Sequence, residues 1–235
     1  MAKSTIYIIH GWTYTVEPWT STVSVLRSWG YEVKQLRVPG LTEPSDEVWD
    51  IDSYVDWLHQ QLRGDKSPII IGHSNGGRIA LNYLNAYPNS FEQLILLNSA
   101  GINVSNQKIS IKRRLFKIAS VILRPLRYIP IVRKVVYRII GGSDYERAPE
   151  NMKQTLHNML ESDKMLRLKK VLIPTTILWG KKDTVTPIEQ ANKLNRLIKD
   201  SNLEVYDDWA HAPYITHPYE LAVALRDALE SEKVD

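Results

Sequence analysis

A serine between two glycines is the first feature of this sequence with chemical meaning. Residues 72–76 read Gly-His-Ser-Asn-Gly, a G-x-S-x-G pentapeptide that stands between a short apolar run at 68–71 and a helix-like run at 76–87. A sharp strand-to-helix turn at this point would expose the serine hydroxyl, and the glycines would let strand and helix approach closely. The helix would also turn backbone N–H groups and its positive dipole end toward the serine. We interpret Ser74 as a nucleophile rather than as an N-capping serine.

A serine hydroxyl is a weak nucleophile, so it needs a general base, and the base needs a carboxylate to orient it. Loops after later strands can supply both groups, because the carboxyl ends of parallel strands meet at one edge of a sheet. Asp183 is the one carboxylate in the loop 181–187, and His211 lies in the loop 207–213. These two residues are our candidates for the acid and the base.

Other residues compete for the same roles. His217 is the main alternative for the base, although it lies nearer the closing helix. Asp207 and Asp208 could replace Asp183, although they precede His211 at the end of its own strand. The remaining histidines are expected to shape the site (His10, His73) or to pack in helical runs or lie at the surface (His59, His157).

The elements that hold these residues alternate between strands and helices, which is typical of a parallel sheet. The patterns predict strands at 4–9, 32–38, 68–71, 93–97, 175–179 and 203–206, and helices at 17–29, 52–63, 76–87, 188–199 and 218–230. From 98 to 174 the alternation stops, and helices broken at Pro125, Pro130 and Gly141-Gly142 are expected instead. We predict an α/β core at 1–98 and 174–235, with a six-stranded, mostly parallel sheet and an all-helical cap at 99–173 after the fourth strand.

Composition excludes several classes of protein. A chain of 235 residues with 43% hydrophobic and 24% charged residues can bury a sizeable core, so disorder, collagen and coiled coil are excluded as its main architecture. Without cysteine there is no disulfide, thiolate metal site or cysteine nucleophile. No metal or nucleotide motif is present, and we expect no cofactor. With no signal peptide and no long apolar run, we expect a cytoplasmic protein with no transmembrane segment.

Positive charge is concentrated in one segment. Ten Lys or Arg residues and no Asp or Glu lie between Asn103 and Gly141; since the whole chain has a net charge of +4, the rest carries −6. We interpret the segment 108–138 as amphipathic helices with an apolar face toward the active site. Attraction of an anionic acyl substrate and weak contact with an anionic membrane surface are the alternatives. Nucleic-acid binding is not expected, because no nucleic-acid-binding motif accompanies the charge.

Together, the pentapeptide at 72–76, the run Trp-Gly-Lys-Lys-Asp at 179–183, the loop of His211 and an early His10-Gly11 resemble the α/β-hydrolase superfamily. The resemblance covers essentially the whole chain, implies a compact member without two of the family's edge strands, and places the cap at 99–173. Some members carry the acid after the strand before the cap, where this chain has Asn98 and Ser99.

The resemblance also implies roles for individual residues. Ser74 corresponds to the nucleophile, His211 to the general base and acid, and Asp183 to the carboxylate that holds the His211 tautomer. The backbone N–H groups of Asn75 and Trp12 correspond to the oxyanion hole. Many members have a small residue in place of Trp12, so its indole is expected to narrow the acyl pocket, or a neighbouring residue donates instead. The motif residues expected to contact substrate are His10, Gly11 and His73.

The function expected from these features is hydrolysis of small carboxylic esters, with a hydrophobic acyl group, through an acyl-enzyme intermediate. The same triad could serve a thioesterase, a lactonase or a carbon–carbon bond hydrolase, because one fold hosts many reactions. A ligand-binding protein that has lost turnover is the alternative outside the enzymes. The sequence makes no prediction of the oligomeric state.

Overall fold

A single parallel sheet organises the chain. The computed structural model describes residues 4–102 and 148–231. Its strands are β1 (Ile6–Ile9), β2 (Val33–Gln35), β3 (Ile69–His73), β4 (Gln93–Leu97), β5 (Thr175–Gly180) and β6 (Asn202–Tyr206). They lie in the order β2-β1-β3-β4-β5-β6, and all five pairings are parallel. The predicted α/β class and six-stranded sheet are therefore confirmed.

Helices cover both faces of the sheet. They are α1 (Thr20–Ser28), α2 (Ile51–Gln61), α3 (Asn75–Ala86), α4 (Glu150–Ser162), α5 (Ile188–Leu197), α6 (Pro213–Thr216) and α7 (Pro218–Ser231), with 3-10 helices at Glu17–Trp19 and Leu168–Lys170. The predicted helix at 17–29 is thus divided, and its first turn, which contains Pro18, is a 3-10 helix. Helix α6 is absent from the prediction because four residues are too few to show a helical period.

Alternating side chains divide the core into two layers. Ile6 and Ile8 of β1 pack with α1 and α7 on one face of the sheet. Tyr7 and Ile9 point to the opposite face, where α2, α3 and α5 pack. Because the inner strands are covered on both faces, they are buried along their whole length and mostly apolar, as parallel strands usually are. The sheet is therefore a fixed platform for the loops at its carboxyl edge.

Strand β2 is shorter than the predicted strand at 32–38. The carbonyl oxygen of Val38 accepts hydrogen bonds from the backbone N–H groups of Leu41, Thr42 and Glu43. The Thr42 hydroxyl in turn accepts from the Val38 N–H, at 2.8 Å. Since these bonds belong to a turn, the chain leaves the sheet before Val38.

The described part of the insertion is helical, as predicted. It contains α4 and the second 3-10 helix, and the hydroxyl of Thr155 on α4 accepts a hydrogen bond from the backbone N–H of Trp49 at 2.9 Å. The basic segment 108–138 and the helix breaks predicted at Pro125, Pro130 and Gly141-Gly142 lie outside the described residues. No helix within 4–102 and 148–231 is long and apolar enough to cross a membrane.

Candidate active site

Ser74 occupies a strained turn between β3 and α3. Its φ of 51° and ψ of −118° lie where residues other than glycine are rarely found. The surrounding backbone holds this conformation: the Ser74 N–H donates to the Leu97 carbonyl at 3.2 Å, and the Ser74 carbonyl accepts from the Ala100 N–H at 2.9 Å. Strain of this kind persists only where neighbouring structure enforces it, and it concentrates at functional sites.

The glycines of the pentapeptide have steric roles. A Cβ atom on Gly76 would lie 2.0 Å from the carbonyl oxygen of Ile9, and one on Gly72 would lie 2.6 Å from the Cα atom of Gly77. Helix α3 therefore approaches β1 and β3 more closely than any residue with a side chain would allow. Gly11, in the loop after β1, lies equally close to Ser74, because a Cβ atom on Gly11 would lie 2.9 Å from the Cβ of Ser74.

His211 connects Ser74 to Asp183. The Nε2 atom of His211 lies 3.0 Å from Ser74 Oγ, and its Nδ1 atom lies 2.7 Å from Asp183 Oδ2. Since a carboxylate only accepts hydrogen bonds, Nδ1 carries the proton and Nε2 presents its lone pair to the Ser74 hydroxyl. The Asp183 side chain is fully buried and that of His211 is 23% exposed. The structure thus brings together the three residues that the sequence singled out.

Thr186 helps to hold the carboxylate of Asp183. Its hydroxyl lies 2.6 Å from Asp183 Oδ2, while Oδ1 accepts from the backbone N–H groups of Val185 at 2.7 Å and Thr186 at 2.9 Å. With the His211 ring, four donors satisfy this buried group, as a buried carboxylate requires. Sequence reasoning missed Thr186, although an Asp followed three residues later by Thr is typical of a side-chain-capped turn.

Asn98 fixes the loop that carries His211. Its side-chain NH₂ donates to the carbonyl oxygens of Ala210, at 2.9 Å, and His211, at 3.0 Å, and its Oδ1 accepts from the Gly180 N–H at 2.8 Å. Its φ of 42° is left-handed, a conformation that asparagine tolerates better than most residues. From the sequence, Asn98 was considered only because some family members carry the acid at this position. Its place directly after β4 was the one feature that could have indicated a role in the site.

Two neighbouring histidines are buried and neutral. His73 Nε2 donates to the His211 carbonyl oxygen at 2.8 Å, and burial, followed by the nearby His211, holds the pKa of His73 well below its usual 6.5. Burial also lowers the pKa of His10, whose ring bonds the Gly11 carbonyl at 2.8 Å and the Thr42 hydroxyl at 2.7 Å. His10 is not among the described residues that line the cleft beside Ser74. Contact between His10 and substrate stays a prediction.

The triad opens into a cleft of about 630 Å³. Trp12 and Asn75, the candidates for the oxyanion hole, both line it, as do Gly11 and His73. The apolar part of its lining includes Ile102, Leu156, Leu160 and Val185. Two of these residues, Leu156 and Leu160, belong to α4, so the insertion forms part of the wall.

The competing residues are engaged elsewhere. His217 Nδ1 lies 2.7 Å from the Thr216 hydroxyl at the surface end of α6. Asp207 pairs with Lys181 at 2.9 Å and Asp208 with Lys182 at 2.5 Å, all with largely exposed side chains. The other two histidines also lie in helices: His59 stacks on Tyr87 and His157 is exposed.

A buried ion pair joins α4 to the helix behind Ser74. Arg78 donates from Nε to Asp163 Oδ1 at 2.6 Å and from Nη2 to Asp163 Oδ2 at 3.1 Å. Its Nη1 donates to Asn75 Oδ1, and the side chains of Arg78 and Asp163 are only 6% and 10% exposed. This pair could not be predicted from the sequence, since nothing local links residues so far apart in the chain.

Among the described residues no group of three or more His, Cys, Asp or Glu side chains is arranged to hold a metal ion.

Comparison with known proteins identifies the family. Monoacylglycerol lipase ABHD6 of Bos taurus is 26% identical over 97% of this chain and 76% of its own length. A pimeloyl-[acyl-carrier protein] methyl ester esterase of Neisseria meningitidis is 24% identical over 97% of this chain and 94% of its own. The crystal structure of a putative lipase from Acinetobacter baumannii superposes with a TM-score of 0.73 at 24% identity, over 99% of this chain and 86% of that one. Residues 2–215 match the model of the family Hydrolase_4, described as serine aminopeptidase, S33. The chain therefore belongs to this family of serine-hydrolase type within the α/β-hydrolase superfamily.

Proposed function

We propose that this protein hydrolyses carboxylic esters, with Ser74 as nucleophile, His211 as general base and acid, and Asp183 as the orienting carboxylate. The observation that carries the proposal is the continuous hydrogen-bonded chain from Ser74 Oγ to His211, 3.0 Å, and from His211 to Asp183, 2.7 Å, at the base of an open cleft. A nucleophile, a base and an orienting group within hydrogen-bond reach are the requirements of acyl transfer.

The reaction proceeds in two halves. Ser74 Oγ attacks the ester carbonyl as its proton passes to His211 Nε2, and the backbone N–H groups of Asn75 and Trp12 stabilise the oxyanion. His211 then gives the proton to the departing alcohol, leaving the acyl group on Ser74. Water, deprotonated by His211, attacks the acyl-enzyme, and collapse of the second tetrahedral intermediate releases the acid and restores the Ser74 hydroxyl.

The cleft and the relatives support an ester with an apolar acyl group. Two relatives are a monoacylglycerol lipase and a methyl ester esterase, and both names denote enzymes that cleave carboxylic esters. The apolar lining contributed by α4 suits a hydrocarbon chain. We also propose that residues 1–98 and 174–235 form the core of the protein and that residues 99–173 form a cap. Cytoplasmic localisation stays a prediction that cell fractionation tests.

Hydrolysis of p-nitrophenyl esters from acetate to decanoate tests the proposal. We expect turnover by the wild type, a chain-length optimum that reports the pocket, and activity reduced at least 1,000-fold in Ser74→Ala and His211→Ala. His217→Ala is the matched control and should retain wild-type rates, since His217 lies outside the cleft. Turnover of every ester undiminished in Ser74→Ala would overturn the mechanism. An inert wild type whose Ser74 still reacts with a fluorophosphonate would overturn the ester assignment and favour the thioesterase, lactonase or carbon–carbon hydrolase alternatives.

A further inference from the structure

Half of the unpaired buried polar atoms among the described residues belong to residues that line the cleft. Among the described residues, eight buried side-chain nitrogen or oxygen atoms have no hydrogen-bond partner. Four of them belong to residues that line this one cleft: Trp12 Nε1, His73 Nδ1, Asn75 Nδ2 and Gln190 Oε1. Leaving a buried polar atom unpaired is unfavourable, so a cluster of such atoms in a native protein requires an explanation. A molecule bound in the cleft would supply partners to the donors or acceptors that face it.

Arg78 fixes which half of the Asn75 amide is free. A guanidinium group has donors and no acceptor, so the atom of Asn75 that faces Arg78 Nη1 must be the carbonyl oxygen Oδ1. Asp163 holds Arg78 by two hydrogen bonds, which prevents the guanidinium from turning away. The amide orientation leaves Nδ2 as an unpaired donor on a residue that is only 4% exposed and directly follows Ser74.

Trp12 supplies a second donor of unambiguous character. An indole Nε1–H can only donate, and in Trp12 this buried atom is unpaired. His73 is a different case. Its Nδ1 is an acceptor, because Nε2 carries the proton that is donated to the His211 carbonyl. Gly11 covers this Nδ1 atom, since a Cβ on Gly11 would lie 3.0 Å from it. Of the four atoms, His73 Nδ1 and Gln190 Oε1 are acceptors, and Trp12 Nε1 and Asn75 Nδ2 are donors. The two donors belong to the residues that directly follow Gly11 and Ser74 in the chain.

We propose that the Asn75 side-chain amide and the Trp12 indole N–H recognise a hydrogen-bond-accepting oxygen of the substrate that is not part of the scissile ester. The preferred substrates are then esters with an ether, hydroxyl or carbonyl oxygen a few bonds from the reacting carbonyl, in addition to their apolar portion. This inference rests on the proposed ester hydrolysis and adds a specificity to it. Asn75 and Trp12 act here through their side chains, separately from their backbone N–H groups.

Pairs of esters that differ only by CH₂ and O test the proposal. On the acyl side, ethyl pentanoate is compared with ethyl 3-methoxypropanoate; on the alcohol side, butyl hexanoate is compared with 2-methoxyethyl hexanoate. The measured quantity is the kcat/KM ratio within each pair, divided by the ratio of the alkaline hydrolysis rates. We expect the wild type to prefer the oxygen-containing ester about tenfold in one arm, as one recovered hydrogen bond to a buried donor allows. The arm that shows the preference locates the oxygen on the acyl or the alcohol side.

Three variants assign that preference. Asn75→Leu keeps the size of the side chain and removes its donor, and Trp12→Phe removes the indole N–H; each should bring the ratio at least threefold closer to one. Trp19→Phe is the matched control, because Trp19 Nε1 is also buried and unpaired, but Trp19 does not line the cleft, so its ratio should stay at the wild-type value. A change in the oxyanion hole would affect both esters of a pair and leave the ratio unchanged.

Failure of this inference can be distinguished from failure of the proposed ester hydrolysis. Active hydrolysis with a ratio near one in both arms, or a preference that survives in both Asn75→Leu and Trp12→Phe, would overturn the inference and leave ester hydrolysis intact. An enzyme that cleaves none of the four esters and whose Ser74 does not react with a fluorophosphonate would overturn ester hydrolysis itself, and the inference with it.

Discussion

At the scale of single residues, the candidate triad depends on a fourth side chain. Asp183 can orient His211 only while its own carboxylate is held. Within residues 4–102 and 148–231, the Thr186 hydroxyl, 2.6 Å from Asp183 Oδ2, is the one side-chain donor to that carboxylate other than His211. The same hydroxyl lies 3.3 Å from His211 Nδ1, so removing it affects both members of the pair. Thr186 is a positioning residue rather than a catalytic one.

Replacing Thr186 by valine tests this role. The valine keeps the shape of the side chain but removes the hydroxyl donor, and we expect kcat for a p-nitrophenyl ester to fall about tenfold with little change in KM. Thr186→Ser, which restores the hydroxyl, should recover most of the lost activity. If kcat for Thr186→Val equals that of the wild type, the hydroxyl does not position Asp183.

At the scale of elements, the position of Ser74 depends on how closely α3 packs on the sheet. Gly76 lies within α3, where helix propensity alone predicts that alanine would stabilise the protein by about 1 kcal/mol. However, the new Cβ would lie 2.0 Å from the Ile9 carbonyl oxygen. This clash predicts that alanine would destabilise the protein instead. We expect Gly76→Ala to lower the free energy of unfolding by about 3 kcal/mol or more. Denaturant unfolding measures it.

Gly64 provides the control for that substitution. It has a positive φ of 89° but nothing within 4 Å of its Cβ position, so Gly64→Ala should cost only about 1–2 kcal/mol of backbone strain. A Gly76→Ala protein as stable as the wild type would contradict the close approach of α3 and β1.

The ion pair between Arg78 of α3 and Asp163 at the end of α4 is expected to stabilise the protein. Removing one partner of a buried pair leaves the other charge uncompensated, so Asp163→Ala should lower the free energy of unfolding by about 3–5 kcal/mol. Asp207→Ala, which breaks the exposed pair with Lys181, is the matched control and should have little effect. Equal effects of the two substitutions would show that the Arg78–Asp163 pair is not a structural link between the insertion and the core.

The elements also show what the sequence could predict. Strands and motif residues were predictable, because apolar runs and the 72–76 pentapeptide are local patterns. The bonds made by Asn98 to the His211 loop and by Arg78 to Asp163 join residues 85 or more positions apart, and no period or spacing carries that information. The same holds for His10, whose ring bonds the Gly11 carbonyl and the Thr42 hydroxyl; the motif alone does not predict the bond to Thr42.

At the scale of the whole molecule, two buried histidines make stability depend on pH. Burial lowers the pKa values of His10 and His73 in the folded protein below the ordinary 6.5 that they have when unfolded. The unfolded chain therefore binds more protons below about pH 6.5, and stability falls as the pH decreases. Each histidine that stays neutral contributes a slope of up to about 1.4 kcal/mol per pH unit. Urea unfolding between pH 8 and pH 5 measures this slope.

A variant separates this effect from general acid denaturation. His73→Asn should reduce the slope between pH 6.5 and 5, whatever it does to the absolute stability. An unchanged slope in His73→Asn would mean that His73 gains a proton in the folded protein as easily as in the unfolded chain.

The covalent acyl-enzyme is the most direct test of the central claim, that Ser74 is the nucleophile of an ester hydrolase. Wild type mixed with p-nitrophenyl hexanoate is quenched in acid within milliseconds to seconds, digested and analysed by mass spectrometry, with Ser74→Ala alongside. We predict one hexanoyl group on the peptide that contains Ser74, appearing with the first equivalent of nitrophenol and absent from Ser74→Ala. Steady nitrophenol release by a wild type that carries the acyl group on another residue would contradict the mechanism proposed here.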